Sequence, residues 1–587
     1  MINEFRERFR KLKEKKLENK DYNGKIRNKK MEAKEETDKK NKDNLKFLIV
    51  AIILITVFCI AITPVTFQND TYYTIKIGEH ISKCGIDMQD PFSWHENLSY
   101  TYPHWAYDLA TYYIYDLFGF VGIYIVTCIL SVILGLSIFG VNCKLIKNQP
   151  ISFLLTIGTI YLIRAYIAAR AQLVTFILFI LTVFFIEKFL ETKKKKYAIS
   201  LIIIPIIIAN IHVAVFPFYF ILYLPYIAEY FLACFSENIV YRKASIRELK
   251  LKVKILSRKK GNDQKVENLK NELKQLEEKV EKIKIKRSKE LQNPYKIKMT
   301  KNDNVKWLII IMIICLFTGF LTPLGNTPYT YLVKTLQGNT TQNINEHLPM
   351  TIANETEVLC VLILFLAILI FTKAKIRLSD LFMIGGLCFL MLSSRRQITV
   401  FALVGVIILN RLIMQLINIY CDKEFLSKLQ KSFSSVVGII IIMACVLGLS
   451  YHFGKGKFDD KFVSKSTYPV DACDYIIENI DLGQARFYNE YNYGSYMLFR
   501  GIPVFIDSRA DLYAPEFSGK KDDIFMDFIE TSNISKYYED IFEKYGITHV
   551  ITYENSKMNM IITKSKDENY KELYKDDYFV VYERESN

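Results

Sequence analysis

The 587-residue chain has no CxxC pair, no internally repeated segment and no nucleic-acid recognition motif. The first absence removes the cysteine signatures of zinc and dithiol redox sites. The 11 cysteines lie mostly inside apolar runs, where a thiol packs as a small hydrophobe. Only Cys84 and Cys473 fall in regions expected outside the membrane on its outer side, and the sequence leaves their pairing open. The second absence counts against a secondary transporter, whose fold is usually built from repeats. The third means that the net charge of +16 is not a nucleic-acid footprint. No cleavable signal peptide is expected either, because the first apolar run starts near Leu45 behind a long basic stretch.

What the chain does have is apolar runs. It is 51% hydrophobic with 38 Tyr and 40 Phe, and the runs reach the roughly 18 or more residues needed to cross a bilayer. Single spans are expected at 46–66, 118–142, 306–323, 356–372 and 434–451. Three further stretches, 151–190, 197–235 and 379–420, are about 40 residues each, and as single helices they would be about 60 Å long, twice the hydrocarbon thickness. Each is therefore predicted to be two spans. The breaks fall at Arg164 and Arg170, at Asn210 and His212, and at Arg395-Arg396. The total is about eleven. With that count Lys144, Lys147, Lys193–Lys196, Lys373–Arg377 and Lys423–Lys431 all fall on one side, as the positive-inside rule requires. The N-terminus is then cytoplasmic and the C-terminus extracytoplasmic, in a plasma-membrane protein.

Five regions follow. Residues 1–45 form a basic cytoplasmic tail, and 46–235 an N-terminal membrane region with a large first outer loop at 67–117. In 236–305, Val266, Leu269, Leu273, Leu276, Val280 and Ile283 repeat at three- and four-residue spacing, as Ile246, Leu249, Val253 and Leu256 do before a turn at Gly261. That pattern predicts a cytoplasmic helical hairpin closing as a short coiled coil. Residues 306–451 are a second membrane region. From 452 to 587 strands and helices alternate, which predicts a small α/β domain outside the membrane. The fold class is thus a polytopic α-helical membrane protein with an α/β C-terminal domain.

The first outer loop is long, aromatic and acidic, and loops of that length are usually functional. It carries Asp70 just past the first span, then Asp90, His95, His104 and Asp108. The sidedness follows from the cytoplasmic positive charge, and Asp70, Arg164, Arg170, Asn210, His212, Glu346, His347, Arg395 and Arg396 all fall on the opposite face. Ionisable residues in or beside spans are functional candidates. Arginines suit a lipid phosphate, and a carboxylate suits proton abstraction from a hydroxyl or the holding of a metal. Plainer readings stand beside these. Arg395 and Arg396 would be snorkelling anchors, His212 an interhelical hydrogen bonder, and the loop's Tyr and Trp an interfacial belt. In the C-terminal region Asp507, Arg509 and Asp511 alternate at the end of IPVFI. A regular strand would turn all three to one face, toward the membrane site, and a self-contained salt-bridge turn is the alternative.

Several segments carry a resemblance: DTYYTIKIGEHI, DPFSWHE and YTYPHWAYD in the loop, RAQLVTF, ANIH, INEHLP, SSRRQITVF, and NEYNYGSYMLFRGIPVFIDSRADLY. With them the chain resembles the GT-C superfamily of membrane glycosyltransferases, and more closely a group of bacterial polytopic membrane proteins related to it. The resemblance implies sugar transfer, with inversion, from a polyprenyl-phosphate donor to a cell-envelope acceptor on the outer face. Asp70 would be the essential first-loop acid. Several families pair two adjacent acids there, whereas here Thr71 follows, so the second acid would be Asp90, Asp108 or Glu346. A divalent metal, Mg or Mn, is part of that expectation. Arg164, Arg170, Asn210, His212, Arg395, Arg396, His104, Asp507, Arg509 and Asp511 are the expected binding residues. The alternative is a non-enzymatic lipid or glycan transporter or envelope-assembly protein.

Overall fold

The computed structural model describes residues 42–237, 239–256, 263–291, 296–422, 424–457, 459, 461–565 and 569–585. The tail 1–41, the turn at Gly261 and the side chains of Leu256, Val280 and Ile283 lie outside that description. Among the described residues six helices are long and apolar enough to cross a membrane, and four shorter apolar helices accompany them. The chain is a multi-pass membrane protein.

The first helices are α1 (Lys42–Ile62), α2 (Asn69–Cys84), α3 (Trp105–Ile146), α4 (Gln149–Leu162), α5 (Ala171–Thr192) and α6 (Lys195–Ile211). Each 40-residue apolar stretch is two helices broken at its polar residues. A short 3-10 turn at Arg164–Tyr166 separates α4 from α5, and His212 ends α6 ahead of the apolar segment Val213–Phe235. Ser394 parts Leu378–Ser393 from Arg395–Tyr420. The last of these pairs packs on α3 and α4 through polar side chains in the apolar core. Asn410 Nδ2 donates to Asn142 Oδ1 at 3.0 Å and to Ser152 Oγ at 3.1 Å. Such bonds fix helix pairing where lipid offers no competing partner.

The first loop is more ordered than its sequence suggests. It starts with α2 and ends with the first turns of α3. That helix is interrupted at Gly119, whose φ of 60° and ψ of −157° are non-helical. Glycine adopts that geometry without a Cβ penalty. Gly78 brings α2 against α3, since a Cβ there would stand 2.1 Å from the Asp108 carbonyl oxygen.

Two apolar cores result. One belongs to the membrane helices. The other is shared between the first loop and the C-terminal region, and includes Tyr72, Ile77, Leu98 and Tyr102 together with Tyr488, Phe505, Phe542 and Val581. The loop tyrosines are thus core residues more than an interfacial belt. The two segments form one extramembrane unit. Its sheet is ordered β3-β4-β6-β5, with β3 (Phe487–Tyr488) parallel to β4 (His549–Tyr553), and β6 (Phe579–Arg584) antiparallel to both β4 and β5 (Tyr570–Lys575). A separate two-residue ladder, β1 (Ile297–Lys298) with β2 (Ile376–Arg377), lies in the membrane half.

IPVFI is not the expected strand. Its buried backbone is satisfied by other groups: Asn489 Nδ2 donates to the Ile506 carbonyl at 2.7 Å, the Phe505 amide donates to Asn489 Oδ1 at 2.9 Å, and His95 bonds the Phe505 carbonyl at 2.9 Å. Side chains do here what a neighbouring strand does in a ladder. Cys84 and Cys473 are both free, the one exposed and the other buried. The insert is helical at Ile239–Leu256 and Asp263–Leu291, and Lys250 Nζ meets Glu277 Oε1 at 2.9 Å across the pair.

Candidate active site

A cavity of about 1170 Å³ lies between the membrane helices and the extramembrane unit. Four chain segments bring charge into it. Asp70 enters from the first turn of α2, and Arg170 from the residue preceding α5. Glu346 and His347 come on the loop after Asn343, which is pinned to the broken helix pair. There the Arg396 amide donates to the Glu346 carbonyl at 3.0 Å and the Arg395 amide to the Leu348 carbonyl at 3.0 Å. His104 and His212 meet with their rings tilted at 57° and the centroids 4.9 Å apart, where the Val213 amide donates to the Pro103 carbonyl at 3.0 Å.

Arg170 is the centre of the cluster. Its Nε lies 3.0 Å from Asp70 Oδ2, an ion pair whose N–H is not aligned on the carboxylate. Its Nη1 donates to Glu346 Oε1 at 3.1 Å and Oε2 at 3.3 Å. Asp70, which has no cation beside it in sequence, therefore has one in space, and Arg170 is held by two acids instead of standing free for a phosphate. Burial alone would raise the Glu346 carboxyl, but the Arg170 and Arg396 charges outweigh it and hold the group below its usual range. Burial, with the Arg396 charge added, pushes the His347 imidazole down to about 4, and burial with Arg396 and Arg170 pushes His104 to about 3. Both imidazoles are neutral at ordinary pH.

The expected catalytic and binding residues divide. Asp70, Arg170, His212, Glu346, Arg396, His104, Arg509 and Asp511 line the cavity. Arg164 does not: its Nη1 pairs with Glu357 Oε2 at 2.8 Å and its guanidinium covers the Tyr161 ring. Arg395 also faces away, paired with Glu355 Oε1 at 2.9 Å. Asn210 donates to the Leu321 carbonyl at 2.9 Å, which makes it a structural group. Asp108 is wholly buried where α2 crosses α3, behind the wall. Among the described residues the structure records no ion pair or hydrogen bond for the Arg396 guanidinium, so the second of the paired arginines is the cation the cavity offers to an anion.

The Asp507, Arg509, Asp511 expectation needs correction. The chain turns at Ser508, so the period-two alternation stops and the three side chains diverge. Asp507 is fully buried and accepts from Arg509 Nε at 2.9 Å, Arg509 Nη2 at 2.7 Å and Tyr513 Oη at 2.6 Å. Arg509 Nη1 reaches across to Asp90 Oδ1 at 2.7 Å, tying the first loop to the C-terminal region. Burial alone would raise the Asp90 carboxyl, yet the Arg509 charge and the Ser93 bonds bring it below its usual range. Asp511 instead accepts from Tyr331 Oη at 2.7 Å and Thr340 Oγ1 at 3.1 Å, anchoring the loop that carries Glu346. These are clamps that shape the cavity. The motif upstream serves the same end: Gly494 lets its helix lie against the Ile506 carbonyl, 2.0 Å from where a Cβ would be.

A divalent ion would look to Asp70 and Glu346 for carboxylates. Their charges already meet on the Arg170 guanidinium, and no group of three or more His, Cys, Asp or Glu side chains gathers as a ligand set among the described residues. Neutralised in this way by Arg170, the two carboxylates do not fit a bound divalent ion.

Sequence reasoning passed over Glu490, a wall residue flanking Tyr491. The Tyr491 carbonyl accepts from Asn69 Nδ2 at 2.8 Å, one residue from Asp70. Its only signal was its place inside the NEYNYG motif.

No protein-family model matches the chain, and no curated protein matches it. Among solved structures it is similar to the archaeal oligosaccharyltransferase AglB from Archaeoglobus fulgidus in complex with an inhibitory peptide and a dolichol-phosphate. The identity is 12% and the TM-score 0.48, over 88% of this chain and 70% of that one. It is also similar to the Archaeoglobus fulgidus oligosaccharyltransferase tethered with an acceptor peptide containing the NVT sequon via a disulfide bond. Here the identity is 13% and the TM-score 0.47, over 87% of this chain and 69% of that one. Likeness of this size carries nothing about chemistry.

Proposed function

We propose that the chain is a membrane glycosyltransferase that moves a sugar from a polyprenyl-phosphate donor to a cell-envelope acceptor, in the cavity on the extracytoplasmic face. The observation that carries this reading is the convergence of Asp70, Glu346 and Arg170 with the unpaired Arg396 in one cavity at the edge of the membrane helices. Arg396 holds the donor phosphate, which charge-assisted bonds to a guanidinium suit. Arg170 fixes the two carboxylates. Asp70 takes the proton of the acceptor hydroxyl as that oxygen bonds to the anomeric carbon, and the bond to the phosphate breaks with its electron pair leaving on the phosphate. Attack from the face opposite the phosphate inverts the centre. His104 and His347, as neutral groups, add hydrogen bonds without adding charge.

The test is transfer of radiolabelled sugar from a polyprenyl-phosphate hexose in membranes from cells expressing each variant. Asp70→Asn keeps shape and removes the charge, and should lower transfer at least about a hundredfold while donor binding persists. Arg396→Ala should raise the donor KM first. Undiminished transfer by Asp70→Asn would overturn the assignment. A transporter would instead move labelled lipid between leaflets with no glycosidic bond formed.

A further inference from the structure

A second pocket, of about 570 Å³, opens beside the cavity and shares Glu490, Ser532 and Asn533 with it. All of its walls come from residues 466–578, with no contribution from a membrane helix or from the first loop. Its size is that of a small-molecule site, but its lining is mostly polar. Two features suggest what that lining is for.

The first is a buried group without a partner. Tyr488 and Glu490 are two residues apart in extended backbone, so both project to one face, and both line the pocket. Tyr488 is 1% exposed and its ring packs against Phe505, Phe528 and Phe542, yet among the described residues its hydroxyl has no hydrogen-bond partner. A buried hydroxyl left unsatisfied is destabilising, so a ligand hydroxyl that pairs with it is favoured. Glu490 is nearly as idle, with one long bond from Thr552 Oγ1 at 3.3 Å.

The second feature is the combination of side chains. Tyr553 and Tyr578 line the wall; the Tyr553 ring is packed by Phe579 and Tyr493, whereas Tyr578 is 45% exposed and so the aromatic surface open to a ligand. Asn533 and Asn555 offer planar amides that donate and accept together. Flat aromatic surface beside carboxylate and amide groups matches a ring that is apolar on its C–H face and ringed by hydroxyls. Among the described residues Lys557 is the one cation in the wall and Asp577 offsets it, so the wall offers no surplus positive charge to an anionic ligand.

We propose that this pocket is a pyranose subsite that holds a sugar unit of the acceptor, an inference that rests on the glycosyltransferase reading. It belongs to the acceptor because the donor is a lipid and this pocket has no membrane wall, while Glu490 at the shared border leads the acceptor toward Asp70. Tyr578 stacks on the ring, and Tyr488 and Glu490 bond its hydroxyls.

The probes are the methyl pyranosides of glucose, galactose, mannose and N-acetylglucosamine, added to the detergent-purified full chain and read by saturation-transfer NMR. At least one should bind. Tyr488→Phe should weaken it about threefold or more, the loss of one hydrogen bond, and Tyr578→Ala should abolish it. Because Tyr578 is exposed, that variant carries the test even where Tyr488→Phe fails to fold. Arg396→Ala should leave binding unchanged, and its loss there would put the sugar in the donor end of the cavity and overturn the assignment. Binding by none of the four probes, or binding indifferent to Tyr578, overturns it too. A protein that binds a glycoside through Tyr578 but transfers no sugar keeps the subsite and sinks the transferase. One that transfers sugar and ignores every glycoside does the reverse.

Discussion

Asp507→Asn separates a clamp from a substrate-binding group. In the folded chain the Asp507 carboxylate is fully buried and accepts the Arg509 amide and two guanidinium N–H groups, together with the Tyr513 hydroxyl. An amide there loses the charge, and its NH₂ opposes donors. Arg509, itself buried, then has only Asp90 to neutralise it. Breaking a buried pair by removing one partner costs about 3–5 kcal/mol. In a unit of this size each kcal/mol lowers the melting midpoint by roughly 2–4 °C, so a shift of about 6–20 °C is expected. Cys473 reports it, because it is a buried free thiol in the same core. Labelling purified protein with a maleimide along a temperature ramp, then quantifying the Cys473 peptide by mass spectrometry, follows the extramembrane unit alone. Labelling of Asp507→Asn at the wild-type temperature, with transfer lost, would refute the clamp and return Asp507 to the substrate.

Other expectations are narrower. Burial pushes the Glu490 carboxyl up from 4.5 to about 7. The folded state therefore keeps a proton that the unfolded chain releases as pH rises from 4.5, and stability is lost up to about pH 7. Wild type should lose about 3 kcal/mol relative to Glu490→Gln between about pH 4 and pH 8 in denaturant titrations, and parallel curves would contradict this. Because Arg170 bridges Asp70 and Glu346, transfer should persist in EDTA, and its abolition with rescue by Mn or Mg would require the arginine to move aside. Reporter fusions should place Lys270 in the cytoplasm and Asp507 outside it, whereas finding both on one side would undo the span count. Asp116→Asn, at the far end of the loop, should leave transfer nearly unchanged.

The sequence was most legible where one force dominates. Long apolar runs announce membrane helices, and Arg164, His212 and Arg395 marked the breaks because a charged or polar side chain in an apolar run is costly unless it finds a partner, and a helix end puts it beside the polar cavity or loop. The approach of Asp70, Arg170 and Glu346 was legible only as far as a shared face. Which acid meets which cation depends on helix rotation, which no pattern in one chain encodes. Local rules failed where distant segments took over. IPVFI reads as a strand, but Asn489 and His95 satisfy its backbone from elsewhere. The first loop reads as irregular, yet α2 forms because its apolar face finds Tyr496 and Phe499. Arg164 and Arg395 looked like phosphate ligands because their partners, Glu357 and Glu355, sit on a different segment.

The core shared between the first loop and the C-terminal region sets a timetable for biosynthesis. Asn69 and the backbone it holds at Tyr491 are 422 residues apart. At ordinary translation rates the loop leaves the ribosome roughly 20 to 80 s before its partner exists. Through that interval Tyr72, Ile77 and Tyr102 have no core to enter, and Asp90 has no arginine. A chain cut short after the last span thus leaves behind membrane helices carrying a sticky, half-built loop, a substrate for quality-control proteases. Folding of the extramembrane unit is the final event, gated by synthesis of its C-terminal strands.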